Sequence, residues 1–200
     1  EIVEIVLIND HIQPIITPYM KFYELSALAK VGMFSEVLSE IKSYWGGMLE
    51  LGATTFWEQY DPTAKGAEHY EMYDRKYGKS LCHAWGASPI YLIFACIFGI
   101  KPTKNGFILV PSLVMVDDFE LTCPVKGGFL TLIKTSEHFT VYSDGVDGLL
   151  DFSYSPGYGE KAVKIIAGEQ QHRAKVEFRR GFFKDFHALF QIVFAARGYT

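Results

Sequence analysis

The chain has 200 residues, 49% of them hydrophobic and 21% charged, which is enough apolar surface for one large core or two small ones. A formal net charge of -4, with 19 Lys and Arg in all, argues against nucleic acid as a partner, because phosphate binding needs concentrated cations. No apolar run reaches the roughly 18 residues of a membrane-spanning helix, so no membrane span is expected.

The first residues, EIVEIVLIND (1–10), are β-branched and apolar and read as a short strand or the end of a buried segment. They follow no initiator Met and no signal peptide, so the chain reads as a processed protein or a piece of a longer one. TPYMKFYELSALAKVG (17–32) predicts a helix, with Thr17 as N-cap, Pro18 at the first helical position and Gly32 just past the end. Tyr19, Phe22, Tyr23 and Leu28 fall on one broad face. A second helix follows at once, with Phe34, Val37, Leu38, Ile41, Tyr44, Trp45 and Met48 at helical spacing, and the short link makes an αα-hairpin.

Gly46, Gly47 and Gly52 then lead into GATTFWEQYD (52–61), and residues 59–79 are polar and turn-rich, a long loop of the kind that often carries function. SLCHAWGASPIYLIFACIFG (80–99) predicts a third helix, apolar nearly all round and therefore buried. Beyond residue 104 the pattern changes to short β-rich segments: GFILVPSLVMV, FELTCPV, GGFLTLI, HFTVYS, GLLDFSY, KAVKIIAG and RAKVEFR, separated by Gly, Asp, Pro or Ser. SDGVDG (143–148) reads as a hairpin turn, and FFKDFHALFQIVFAARG (182–198) returns to helical spacing. The fold class is thus α+β: a helical part over 1–104 and an antiparallel, sandwich-like β-domain over 105–200 with a C-terminal helix.

Chemistry concentrates around the loop. Most of the 16 Phe, 12 Tyr and 3 Trp must be core, but such a surplus also suits a cleft in which ring faces pack on the C–H faces of a sugar. Glu58, next to Trp57 at a glycine-rimmed helix end, serves either as a general base in such a cleft or as a surface ion-pair partner. His83 either binds a substrate hydroxyl or is a satisfied core histidine. His69, Arg75 and Lys79 read as solvated loop residues. Cys82 and His83 are adjacent without a second ligand pair, which is not zinc spacing, and no metal or cofactor is expected. Cys82, Cys96 and Cys123 leave one thiol over in any disulfide scheme, which favours a reducing, cytoplasmic compartment.

Taken together, YWGGMLELGATTFWEQYDP (44–62), EHYEMY (68–73) and GKSLCHAWGASPIYL (78–92) resemble the family 78 glycoside hydrolases, the bacterial α-L-rhamnosidases, over roughly residues 15 to 130. The resemblance implies the C-terminal part of an (α/α)6 toroid, about three helices of it, followed by a small antiparallel β-domain. It also implies an inverting glycosidase in which Glu58 is the general base, Trp57 forms pocket wall and His83 contacts the sugar. The family's general acid lies far upstream, in a segment that has no counterpart here. The chain is therefore expected to carry the base side of a rhamnoside-binding site, completed by an N-terminal half or a homodimer partner. The alternative is a non-catalytic carbohydrate-binding or interaction module on the same scaffold.

Overall fold

The computed structural model describes residue 7, residues 13–112, 118–135 and 139–150, and the backbone of strands at 163–165, 172–178 and 190–196. The segment 1–10 lies outside these residues except for Leu7. The chain divides into two units, Glu1–Cys96 and Ile97–Thr200, eight residues before the change of pattern read at 104. The earlier division follows from a strand at Ile100–Thr103 that pairs with its neighbour and so belongs with the β-rich part.

In the first unit, helix α1 spans Pro18–Lys30 and helix α2 spans Phe34–Glu50. Thr17 stands at the N-cap in extended conformation, and its carbonyl accepts the Lys21 N–H at 3.0 Å. Pro18 fits the first turn because its missing N–H would have had no partner there. At the other end Gly32 turns left-handed (φ 81°), which brings the Met33 N–H to the Leu28 carbonyl at 3.0 Å and reverses the chain into α2.

The helices pack through Leu25, Leu28 and Ala29 on α1 and Val37, Ile41, Trp45 and Met48 on α2. Each fully buried large apolar side chain among these is worth about 1.5–3 kcal/mol relative to exposure. The buried face of α1 is not the aromatic one: Pro18, Lys21, Leu25, Leu28 and Ala29 turn inward while Tyr19 and Tyr23 are exposed. Lys21 enters because Glu24 (2.8 Å) and Glu40 (2.7 Å) neutralise it, and its ammonium lies 5.6 Å from the Tyr44 ring centroid.

The third helix is not one regular α-helix. A 3-10 turn at Ala84–Ala87 leads into helix α3, Ser88–Tyr91, and then a π-helical stretch, Leu92–Ile97. Pro89 in the first turn of α3 explains the break, since it has no N–H to continue a ladder from the preceding turn.

The second unit holds β1 (Ile100–Thr103), β2 (Gly106–Leu109), β3 (Phe119–Val125), β4 (Gly128–Lys134), β5 (Phe139–Asp144), β6 (Asp147–Leu150), β7 (Val163–Ile165), β8 (His172–Phe178) and β9 (Phe190–Ala196). They pair in the orders β1-β2-β6-β7, β3-β4-β5 and β8-β9. Leu130, Leu132, Phe139 and Val141 form a buried patch across β4 and β5. The antiparallel expectation needs correction at one pair, because β2 and β6 run parallel from Gly106↔Asp147 to Leu109↔Leu150. For the same reason SDGVDG is not a hairpin: β5 ends in one sheet and β6 begins in another.

The expected C-terminal helix is also corrected. Its last part is β9, paired antiparallel with β8 from His172↔Ala196 to Phe178↔Phe190, and residues 179–189 lie outside the described set. Phe190, Ile192 and Phe194 alternate along that strand, and a period of two with β-branched neighbours satisfies a ladder as well as it satisfies a helix face.

Candidate functional site

Two stretches of the first unit run side by side. The Glu58 N–H donates to the Ser80 carbonyl at 2.9 Å, the His83 N–H donates to the Phe56 carbonyl at 2.8 Å, and Thr55 Oγ1 donates to the Leu81 carbonyl. The returning stretch is pinned from above by Trp45 of α2, whose Nε1 donates to the Gly86 carbonyl at 2.9 Å. Only glycine fits at 86: a Cβ there would stand 2.7 Å from Phe56 Cβ and 2.8 Å from the Trp57 carbonyl oxygen. This close approach brings residues 25 positions apart, Glu58 and His83, into one place.

Glu58 is buried, 4% exposed. Its Oε1 accepts the Tyr73 hydroxyl at 2.6 Å and its Oε2 accepts the Ser80 N–H at 3.0 Å. His83 Nδ1 lies 3.9 Å from Oε2. The Tyr73 hydroxyl holds the carboxyl below its ordinary range, against the opposing effect of burial, with the Ser80 N–H, His83 and Lys79 assisting. The group is an anion at neutral pH despite its burial.

Lys79 stands behind it. Its ammonium is buried and donates to the His69 carbonyl, and burial lowers its pKa while Asp61 and Glu58 pull the other way. Lys79 and His69 were read as solvated loop residues; both are buried, because the loop 59–79 folds back on the site instead of lying in water. Asp61 is fixed in turn by Thr63, whose N–H (2.8 Å) and Oγ1 (2.6 Å) both donate to its Oδ1 and lower its pKa.

The aromatic partner differs from the one expected. Trp57 is 3% exposed and packs on Tyr70 with ring centroids 5.7 Å apart, so it offers no free face. The indole beside the acid in space is that of Trp85, whose Nε1 donates to the Glu58 carbonyl at 3.2 Å. Trp85 is 41% exposed and lies 4.3 Å from the His83 ring. From Trp85 the rings continue to Tyr19 (5.6 Å) and Tyr23 (5.4 Å further), both exposed on α1.

Thus the structure joins Glu58 and His83, turns Trp57 inward, and adds Tyr73, Ser80 and Trp85, none of which the residues alone single out. Tyr73 and Trp85 do lie inside the quoted motifs. Ser80 acts through its backbone, which a residue type cannot announce. Among the described residues no group of His, Cys, Asp and Glu is placed to hold a metal ion, and no helix is long and apolar enough to cross a membrane. No protein-family model matches the chain, and no curated protein does so either.

Proposed function

We propose that this chain carries the general-base side of an inverting glycoside hydrolase site like that of the α-L-rhamnosidases, as the last helices of an (α/α)6 toroid. Glu58 is the base, His83 holds a sugar hydroxyl and Trp85 lines the site. The observation that carries the reading is Glu58 itself: a buried carboxylate kept ionised by directed donors, beside a half-buried imidazole and an exposed indole. A general base must be ionised at working pH and within reach of the proton it removes.

In such a site Glu58 takes one proton from a water molecule as that water's oxygen attacks the anomeric carbon. A general acid on the other side protonates the departing oxygen, and the two carboxyls stand about 6.5–9.5 Å apart to admit the water. In this reading the acid is not one of the residues described at the site, and a second copy of the chain or a further segment of polypeptide would supply it. The alternative, a carbohydrate-binding module without turnover, is favoured by the run of exposed rings from Trp85 through Tyr19 to Tyr23, which suits a neutral polyhydroxyl ligand as well as any catalytic step.

The test is to titrate the chain with L-rhamnose, following His83 and Trp85 by NMR, and to incubate it with an aryl α-L-rhamnoside. Binding that shifts both residues, without appreciable hydrolysis, is expected. No perturbation at either residue would remove the sugar reading. Hydrolysis abolished in Glu58→Gln would mean that the chain supplies its own acid or completes the site by dimerising.

A further inference from the structure

Tyr73 sits in an unusual place for a bulky residue. It and Asp74 form the tip of a tight turn closed by Met72 and Arg75, with the Met72 N–H on the Arg75 carbonyl at 3.1 Å and the Arg75 N–H on the Met72 carbonyl at 3.0 Å. Both tip residues are left-handed, Tyr73 at φ 55° and Asp74 at φ 58°. Turns of this kind favour Asn-Gly, and an aromatic side chain there is held against its backbone preference. The turn is braced from within: Gly78 approaches so closely that a Cβ there would stand 2.1 Å from the Met72 carbonyl oxygen.

The strained turn delivers one thing, the phenol on Glu58 Oε1. Tyr73 is 66% exposed while Glu58, which it reaches, is 4% exposed. Oε2 is already taken by the Ser80 N–H, so Oε1 is the oxygen left for an incoming hydroxyl. Tyr73 stands on that oxygen from the solvent side, and it hides only about a third of its own surface in doing so.

We propose that Tyr73 is a removable cap on Glu58, whose phenol oxygen occupies the position that water or a ligand hydroxyl must take, and that the 72–75 turn swings it aside. The cap controls access to the carboxylate whatever Glu58 then acts upon, so it stands independently of the sugar reading. A hydroxyl arriving at Oε1 replaces the phenol as donor, and the carboxylate keeps the same hydrogen-bond count in both states. Opening is cheap because little of the ring leaves a packed surface and the left-handed turn gains freedom.

The experiment measures how fast a water-soluble carbodiimide and an amine modify Glu58, by peptide mass mapping at one fixed pH. Three chains are compared: wild type, Tyr73→Phe and Tyr73→Gly. Both variants lose the same hydrogen bond, so their ratio reads coverage by the ring and not the protonation of Glu58. Glycine is native to a φ of 55°, so Tyr73→Gly keeps the turn, and this backbone relief offsets part of the lost hydrogen bond; urea denaturation checks that both variants are folded under the labelling conditions. Undocking about a third of a tyrosine's surface weights the closed state over the open one by roughly tenfold, which is the factor by which the ring should slow modification. Modification about tenfold faster in Tyr73→Gly than in Tyr73→Phe, with wild type slowest, is the expected result. Equal rates in the two variants would overturn the proposal, since Glu58 would then be shielded by something other than this ring. Loss of sugar binding with the rate order intact would count against the proposed function and leave the cap standing.

Discussion

Ser80 holds Glu58 at both ends: its carbonyl accepts the glutamate's own N–H at 2.9 Å, and its N–H donates to the glutamate's Oε2 at 3.0 Å. A grip of this kind fixes main chain and side chain together, so the carboxylate cannot turn without giving up its bond to the Ser80 N–H. Truncation and isosteric replacement should therefore differ. Glu58→Ala leaves the Ser80 N–H without its acceptor in a half-buried place and should cost about 1–2 kcal/mol of stability. Glu58→Gln keeps a carbonyl oxygen for Ser80 and should cost less, about 1 kcal/mol. Urea denaturation checks the order; equal losses would show that the grip on Oε2 contributes nothing.

Acid should reveal the same carboxylate. Glu58 is held below its ordinary value chiefly by the Tyr73 hydroxyl, whereas in the unfolded chain it titrates at about 4.3. A carboxyl depressed in the folded state contributes stability that is complete above the unfolded value and is lost as pH falls through the folded one. Tyr73→Phe removes the largest cause of the depression. The stability gap between wild type and Tyr73→Phe should thus be widest at neutral pH and close as pH falls below about 4. A gap that stays constant through that range would mean that the phenol does not act through the ionised carboxyl.

The turn at 84–87 is the other support of the site. Adding a methyl group at Gly86 forces apart the stretches that carry Glu58 and His83, because Phe56 Cβ and the Trp57 carbonyl oxygen already fill that space. Gly86→Ala should cost about 1–3 kcal/mol and lengthen the hydrogen bond from Trp45, moving the fluorescence of that buried indole toward the red. A variant as stable as wild type with unchanged emission would show that the two stretches yield without consequence.

Much of this was legible in advance. The ends of α1 follow from Pro18 and Gly32, each suited to its place by local backbone chemistry, while Thr17 takes the N-cap position without a side-chain bond; the strands from β2 to β8 follow from turn residues between β-rich runs. What was hidden depended on long-range pairing. Which face of α1 is buried was decided by Glu40 on the next helix, which draws Lys21 inward and leaves Tyr19 and Tyr23 outside. The parallel pairing of β2 with β6 joins segments separated by three whole strands and their turns, beyond the reach of any local pattern. In the site, Glu58 and His83 were legible as residue types, whereas the identity of the neighbouring ring was not. Adjacency in sequence pointed to Trp57, but Trp57 and Glu58 are both buried and meet different partners, Trp57 packing on Tyr70 while the ring against His83 is that of Trp85.

That reversal of the two tryptophans leads to the sharpest expectation for ligand binding. Trp85 offers an exposed face against His83, while Trp57 is enclosed against Tyr70. Trp85→Ala should weaken L-rhamnose binding about tenfold, the loss of one ring contact of roughly 1.4 kcal/mol, and should destabilise the fold by about 1 kcal/mol through its lost bond to the Glu58 carbonyl. Trp57→Phe should do the reverse. It removes packed volume from the interior and should cost about 1–3 kcal/mol of stability, while the surviving folded protein binds the sugar as wild type does. Titrations followed by NMR, alongside urea curves for the same samples, separate the two effects. If Trp57→Phe abolishes binding and Trp85→Ala leaves it intact, the indole adjacent to the acid in sequence is the functional one, and the site opens on the opposite side of the 56–58 stretch from His83.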